Sequence, residues 1–322
     1  MLKVISIDHG NRLIKTPHFV FPSSYNDSEH LPVIGGDVLK YEDKKYTLVD
    51  RCLPVLNDKT EDERYFILTL FAIGKELQTE AEVYRRFDNQ DGIQVELLIG
   101  LPLQHYEAYR KKFEQYFYQN RSRALNYDLN GIPYNIRIIG AHAFPQAYAA
   151  AVTAYDELKD SKIINIIDIG GFTVDCLQLN QFKPNMNLCT SIYRGVNELL
   201  RAINDNVRSM GGKEIADNII EDILKRDPAA LDEYSEKRIS LVTTAAYNHA
   251  SRLLAEVAQN GFDLDEDKTV FMGGGAILMK EYLLAANKVK KPIFIDDVHA
   301  NAKGYELIYN MKQSAGRKNL AI

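Results

Sequence analysis

At 322 residues the chain is long for a single core and comfortable for two domains. Its 46% hydrophobic and 26% charged residues exclude a disordered chain, and a net charge of −5 with a pI near 5.9 argues against a general binder of nucleic acid or acidic membrane, a basic run at Arg110, Lys111 and Lys112 aside. The three cysteines, Cys52, Cys176 and Cys189, lack metal-ligand spacing and are odd in number, so they read as small buried hydrophobes in a reducing cytoplasm.

In chain order, residues 2–15 read L-K-V-I-S-I-D-H-G-N-R-L-I-K. An apolar strand (Val4, Ile5, Ile7) delivers Asp8 to a turn containing Gly10 and Asn11, and a second strand ends at Lys15. No signal-peptide pattern precedes it, and no apolar run approaches membrane-spanning length. Residues 19–50 read as short strands broken by Pro22, Pro32 and Gly35-Gly36, with an exposed edge hairpin over 41–49. Residues 65–77 are apolar nearly all round and predict a buried helix. Residues 94–99 predict a buried strand. Aromatics at 106, 109, 113, 116 and 117 form a helical stripe of core type. A hairpin turning at Asn130-Gly131 is expected over 127–139. After it, within residues 142–155, a small-residue helix is expected to start at Pro145, with Gln146 in its first turn.

Residues 163–179, I-I-N-I-I-D-I-G-G-F-T-V-D-C-L-Q-L, repeat the opening pattern: an apolar strand, Asp168, a turn at Gly170 and Gly171, and a second strand. Glycines at such a turn let backbone N–H groups face outward. A concave row of amides suits phosphate oxygens, and a carboxylate at its lip suits a hydrated Mg²⁺. Taken alone, D-x-G-G fits equally a hairpin whose Asp caps the turn. The second copy at Asp8, and a third glycine turn at Gly273, Gly274 and Gly275 within T-V-F-M-G-G-G-A-I-L-M, make the set far more specific. Helices are expected over 196–207 (after Gly195), 213–224 and 239–257, and from near Gly304 to Met311. The repeat is long-range, each half opening with strand–Asp–Gly–strand and continuing into helices.

The motifs D-H-G-N-R-L-I-K (8–15), P-Q-A (145–147), D-I-G-G-F-T-V-D (168–175) and G-G-G-A (273–276) resemble the superfamily of actin, heat-shock chaperones and sugar kinases. With R-I-S-L-V-T-T-A (238–245) and K-G-Y-E-L (303–307), the chain is most similar within it to the plasmid-segregating bacterial actins of the ParM (StbA) family. That resemblance implies an α/β, two-domain actin-like ATPase fold, each domain a mixed β-sheet flanked by helices, with the nucleotide in the interdomain cleft. Domain I would cover 1–150 with 303–322 returning to it, and domain II 151–302. The ligands implied are ATP or ADP with Mg²⁺, held through water by Asp8 and Asp168. Asp8, Gly10, Asn11, Lys15, Gly170, Gly171, Phe172 and Thr173 would serve the phosphates. Gly195 and Gly273 to Gly275 would lie against adenine and ribose, with Glu198 and Lys213 as guesses for side-chain contacts.

Gln146, 22 residues before Asp168, stands where ParM-like proteins carry a water-contacting side chain. Gln146, Asp168 and Asp8 are therefore the implied catalytic residues. An amide cannot take a proton, so slow hydrolysis with Gln146 positioning water is expected. One departure concerns the first turn, where Asn11 and Arg12 stand and many relatives have Ser or Thr. A chaperone would need a peptide-binding domain for which 322 residues leave no room. The implied function is a cytoplasmic ATPase that assembles with itself into filaments and moves plasmid DNA through a DNA-binding adaptor on the plasmid centromere, without direct nucleic-acid or membrane contact. Two alternatives stay open: a small-molecule kinase of the same fold, and a nucleotide-gated binding module that does not hydrolyse.

Overall fold

A computed structural model describes residues 1–27, 36–51, 53, 58–79, 92–118 and 123–319; Cys52, Pro32 and Gly35 lie outside them. The chain divides into two compact units, one of Met1–Thr153 with the chain from His299 onward, the other of Ala154–Val298.

In the first unit the strands are β1 (Leu2–His9), β2 (Leu13–Lys15), β3 (Val20–Pro22), β4 (Tyr25–Asp27), β5 (Val38–Tyr41), β6 (Lys44–Leu48), β7 (Ile93–Leu101), β8 (Leu125–Leu129) and β9 (Ile132–Pro145). Among the described residues they form one sheet in the order β3-β2-β1-β7-β9-β8-β5-β6-β4. Strands β1, β7 and β9 run parallel at its centre. Ile5 to His9 of β1 are buried without alternation, as a strand covered on both faces requires. Helix α1 (Arg64–Gln78) is buried nearly all round, whereas α2 (Leu103–Tyr118) buries only Phe113 and Phe117. The β8–β9 hairpin turns at Asn130 and Gly131, both at positive φ (56° and 83°), the geometry that an Asn-Gly pair favours.

The helix expected from Pro145 begins three residues later, at Tyr148. β9 pairs with β7 as far as Leu101↔Pro145, and the helix that follows, α3, covers only Tyr148–Val152. Ladder bonds to a buried central strand outweigh the helix propensity of the small residues. Gln146 accordingly lies in a turn between strand and helix.

The second unit holds β10 (Ile163–Ile169), β11 (Val174–Asn180), β12 (Lys183–Ile192), β13 (Lys268–Met272) and β14 (Pro292–Phe294). Its helices are α4 (Tyr155–Leu158), α5 (Val196–Ser209), α6 (Asp217–Leu224), α7 (Pro228–Glu233), α8 (Glu236–Gln259) and α9 (Gly274–Ala285). Leu199, Leu200, Ile203 and Val207 of α5 and Val242, Ala246, Ala250, Leu253 and Val257 of α8 are buried in one core, the i, i+3, i+4 stripes of amphipathic helices. The sheet order is β12-β11-β10-β13-β14. It repeats β3-β2-β1-β7-β9 strand for strand and sense for sense: two antiparallel steps, then two parallel ones. The chain then returns to the first unit as α10 (Ala300–Asn319). This helix begins four residues before Gly304, which lies inside it rather than at its start.

One buried polar residue stands out in the first core. His9 has no exposed surface; it stacks on Phe117 at 5.3 Å and meets the edges of Phe113 and Tyr65. Its Nε2 lies 2.8 Å from Thr69 Oγ1, whose own proton goes to Tyr65 O at 2.7 Å, so Nε2 is the donor and the ring is neutral. Burial first, and then the nearby Lys59 ammonium, hold the imidazole well below its usual range. Above pH 6.5 both folded and unfolded states carry a neutral ring; below it the unfolded chain binds the proton first, so stability falls as pH falls. Between pH 7.5 and 5.5 this residue therefore lowers the stability of the fold. Urea unfolding of the native sequence and of His9→Gln at the two pH values should show that difference in the former and its removal in the latter.

Candidate functional site

Asp8, one residue from the end of β1, is 4% exposed. Two side-chain amides meet its carboxylate: Gln146 Nε2 donates to Oδ1 at 2.5 Å and Asn301 Nδ2 to Oδ2 at 3.3 Å. The β1–β2 register sets Lys15 directly opposite Asp8, on the same face of the sheet. The turn between them is tight. Gly10 N donates to Asp8 O at 3.0 Å, and a Cβ on Gly10 would come within 2.4 Å of Leu13 O. Asn11 is held at both its carbonyls, Oδ1 accepting from Tyr65 Oη at 3.1 Å and O from Ser23 Oγ at 2.6 Å. Burial pushes the Tyr65 phenol up to about 12, which keeps it protonated and donating. The NH₂ end of Asn11 is thereby oriented as a donor.

Gln146 is fixed through its backbone as well. Its N–H donates to Leu101 O at 2.8 Å, and its carbonyl accepts from Tyr148 N at 2.6 Å across Ala147, which sits at φ 61°, ψ −51°. An i→i+2 bond around a non-glycine residue at positive φ is the rarer, strained form of γ-turn, a conformation that survives where its surroundings enforce it. The bond from Nε2 to Asp8 fixes the orientation of the Gln146 amide.

In the second unit Asp168 occupies the corresponding place in β10, with Asp175 as its register partner on β11 and Met272 on β13. Asp175 accepts a short bond from Ser191 Oγ. Gly170 N is taken up by Thr173 O at 2.9 Å, so this amide, like that of Gly10, closes its own turn instead of facing outward. The carbonyls of Gly170 and Gly171 accept from Val196 N at 3.0 Å and Asn197 N at 2.8 Å, the first two amides of α5, and Gly195 N donates to Phe172 O at 3.1 Å. A Cβ on Gly195 would lie 2.6 Å from the backbone of Gly171 and Phe172. Gly195 therefore serves to lock the Gly170–Thr173 loop onto the start of α5.

The third glycine turn packs against the same strand end. Gly273 caps α9 at φ 88°, where an added Cβ would stand 2.3 Å from Asp168 Oδ1; on Gly275 it would stand 2.4 Å from Ile169 Cγ2. A Cβ on Gly274 would meet nothing. The N–H groups of Gly274 and Gly275 precede the first bonds of α9, which begin at Ala276, so this helix N-terminus offers donors and a favourable dipole to an anion. Glu198 is tied to Arg194 at 3.2 Å and lies 3.4 Å from His249, while Lys213 is exposed on the connection from α5 to α6.

Each unit thus gathers its own predicted residues, the first Asp8, Gly10, Asn11, Lys15 and Gln146, the second Asp168, Gly170, Gly171, Phe172, Thr173, Gly195 and Gly273 to Gly275. Asn301 and Tyr65 joined them without a signal in the sequence, since each arrives from a distant helix. The donors of each unit suit a phosphate with its cation: in the first the carboxylate of Asp8 with amide and ammonium donors at Asn11 and Lys15, in the second the carboxylate of Asp168 with the start of α9. Among the described residues no group of three or more His, Cys, Asp or Glu is placed to hold a metal ion directly. A cation held through water needs no such group.

Residues 6–148 match the family described as the N-terminal domain of actin-like proteins, and residues 166–285 match the C-terminal domain of the archaeal, MreB-like actin homologue. Among solved structures, the archaeal actin homolog Ta0583 superposes with a TM-score of 0.73 at 16% identity over 96% of this chain and 99% of that one. The actin-like protein Alp7A gives 0.72 at 14% identity over 100% and 99%, and a 15-stranded ParM filament from Clostridium botulinum gives 0.66 at 16% identity over 95% and 98%. No curated protein sequence matches the chain. Each part of the chain thus matches a domain of actin-like type, and the fold is that of the actin homologues.

The two neighbouring glycines of α9 separate strain from helix propensity. Gly273→Ala should cost ~1–2 kcal/mol for the positive φ alone, more with the clash at Asp168, whereas Gly274→Ala should stay within about 0.5 kcal/mol of the native chain. Paired urea denaturation curves measure both.

Proposed function

We propose that the protein is an actin-like ATPase that binds Mg-ATP through both units and polymerises with it. The observation that carries this reading is the repeated strand–Asp–turn, Asp8 held by Gln146 in one unit and Asp168 packed on Gly273 in the other. Structures of homologous folds support it, one an archaeal actin homolog in complex with ADP, others a ParM filament and an Alp12 filament. Asp8 and Asp168 would hold Mg²⁺ through water, where its charge offsets that of the β- and γ-phosphates. Asn11, Lys15 and the loop from Gly171 to Thr173 would take the phosphate oxygens, and Gly273 to Gly275 would allow the nucleoside to lie against the backbone.

Hydrolysis of a γ-phosphate needs an in-line water and little covalent work from the protein. Oε1 of Gln146 would accept a hydrogen bond from that water and orient it. Because an amide is no base, turnover is slow, and the nucleotide acts as a timer. One nucleotide engaging both units would favour one angle between them, so that ATP stabilises the polymer and its loss loosens it. A coupling of ~1–3 kcal/mol per subunit suffices to shift assembly severalfold. A subunit with complementary but different ends adds head to tail into an open filament. We infer that this growth moves plasmid DNA through a separate DNA-binding adaptor, an arrangement that suits a net charge of −5. Among the described residues no helix is long and apolar enough to cross a membrane.

Sedimentation of the pure protein with ATP, ADP or neither, with phosphate release followed in parallel, tests the reading. ATP should send the protein to the pellet and phosphate should follow slowly. Gln146→Ala should still sediment while releasing phosphate ~10²- to 10³-fold more slowly, the scale of one preorganised group. Sedimentation without any phosphate release would favour the non-hydrolysing module, and phosphate transfer to a small molecule without sedimentation would favour the kinase.

A further inference from the structure

We propose that Asn301 is a positioning residue for hydrolysis, one that holds Gln146 and Asp8 in register with each other. The inference rests on the reading of Asp8 and Gln146 given above. Asn301 lies in the first turn of α10, far from both in sequence, and it bonds to both sides of the pair at once. Its Oδ1 accepts from Ala147 N at 3.0 Å, and its Nδ2 donates to Asp8 Oδ2 at 3.3 Å. The amide's orientation is unambiguous, because a backbone N–H can only donate and a carboxylate can only accept. Gln146 closes the ring, with Nε2 on the other oxygen of Asp8 at 2.5 Å.

The ring clamps the strained point of the chain. Ala147 is the central residue of the γ-turn that aims Gln146, and its N–H is the one that Asn301 holds. A rare backbone conformation persists when bonds on either side over-determine it. Here Leu101 O takes Gln146 N, Gln146 O takes Tyr148 N, and Asn301 takes the amide between them.

Asn301 is itself placed with little freedom. Three residues on, Gly304 approaches α3 so closely that a Cβ there would stand 2.0 Å from Ala149 O. Four residues on, Tyr305 is fully buried, stacks on Phe144 at 5.6 Å, and fills the space that Gly100 leaves beside the stem of Gln146. Positions i, i+3 and i+4 share one helix face, so the packing of Gly304 and Tyr305 dictates where the Asn301 amide points. The chain crosses into the second unit after Thr153 and returns at His299. Asn301 thus ties the return crossing to the turn that precedes the outward one.

The test is a double-mutant cycle on phosphate release by the full chain at saturating ATP, with affinity for a fluorescent ATP analogue and ATP-dependent sedimentation measured on the same preparations. Asn301→Ala is expected to lower kcat about tenfold, with analogue affinity and sedimentation within threefold of the native chain. In a Gln146→Ala background the same change should cost less than twofold, because a residue acting through Gln146 has nothing left to position. Asn301→Asp, of equal size, keeps the acceptor for Ala147 N and loses the donor to Asp8; it should also lose about tenfold, and it covers the event that the alanine variant fails to fold. A native rate in Asn301→Ala, equal losses in both backgrounds, or weaker analogue binding at unchanged kcat would each overturn the proposal. Absence of phosphate release by the native chain would instead overturn the reading beneath it, and the proposal with it.

Discussion

A carboxylate at the buried end of a central strand must be met by donors, and much of the first unit is arranged around meeting that of Asp8. Left alone in such a place, an ionised group costs several kcal/mol. Two side-chain amides answer it. Because one of the amides belongs to Gln146, the same bond that satisfies Asp8 decides how the Gln146 side chain is turned. Electrostatic need and the orientation of the Gln146 amide are one constraint here.

The second unit applies the same strand order with a different means of control. Its acid faces another carboxylate across the hairpin, and what shapes its surroundings is the absence of side chains at Gly195, Gly273 and Gly275. Where β1 ends among side-chain amides, β10 ends among backbones drawn into contact. Both acids lie at the carboxyl ends of strands paired in parallel with a neighbour, β7 and β13, the edge where open α/β sheets bind their ligands. Helix α5 spends its first amides on the carbonyls of Gly170 and Gly171 and so braces the loop, whereas α9 keeps its first amides for use.

Some of this was plain from the residues. β-Branched runs before Asp8 and Asp168, interrupted only by Ser6 and Asn165, announced apolar strands, and the Asn130-Gly131 pair announced its hairpin. Other parts misled. The helix expected from Pro145 begins only at Tyr148, because β9 stays paired with β7 as far as Pro145. Strand β12 has no apolar run, since it forms the edge of its sheet and most of its residues are only half-buried or exposed. Gly304 reads as a helix start by composition and lies within a helix, because only a residue without Cβ allows α10 to touch α3.

The division follows from range. Strand, acid, glycine and strand stand within about a dozen residues of each other, so local propensity and periodicity alone determined the two acidic hairpins and their glycine turns. Asn301 stands 154 residues from Ala147 and 293 from Asp8. No local pattern marks a residue whose bonds close over such distances, and only the packing of α10 against α3 decided that the amide of Asn301 meets both.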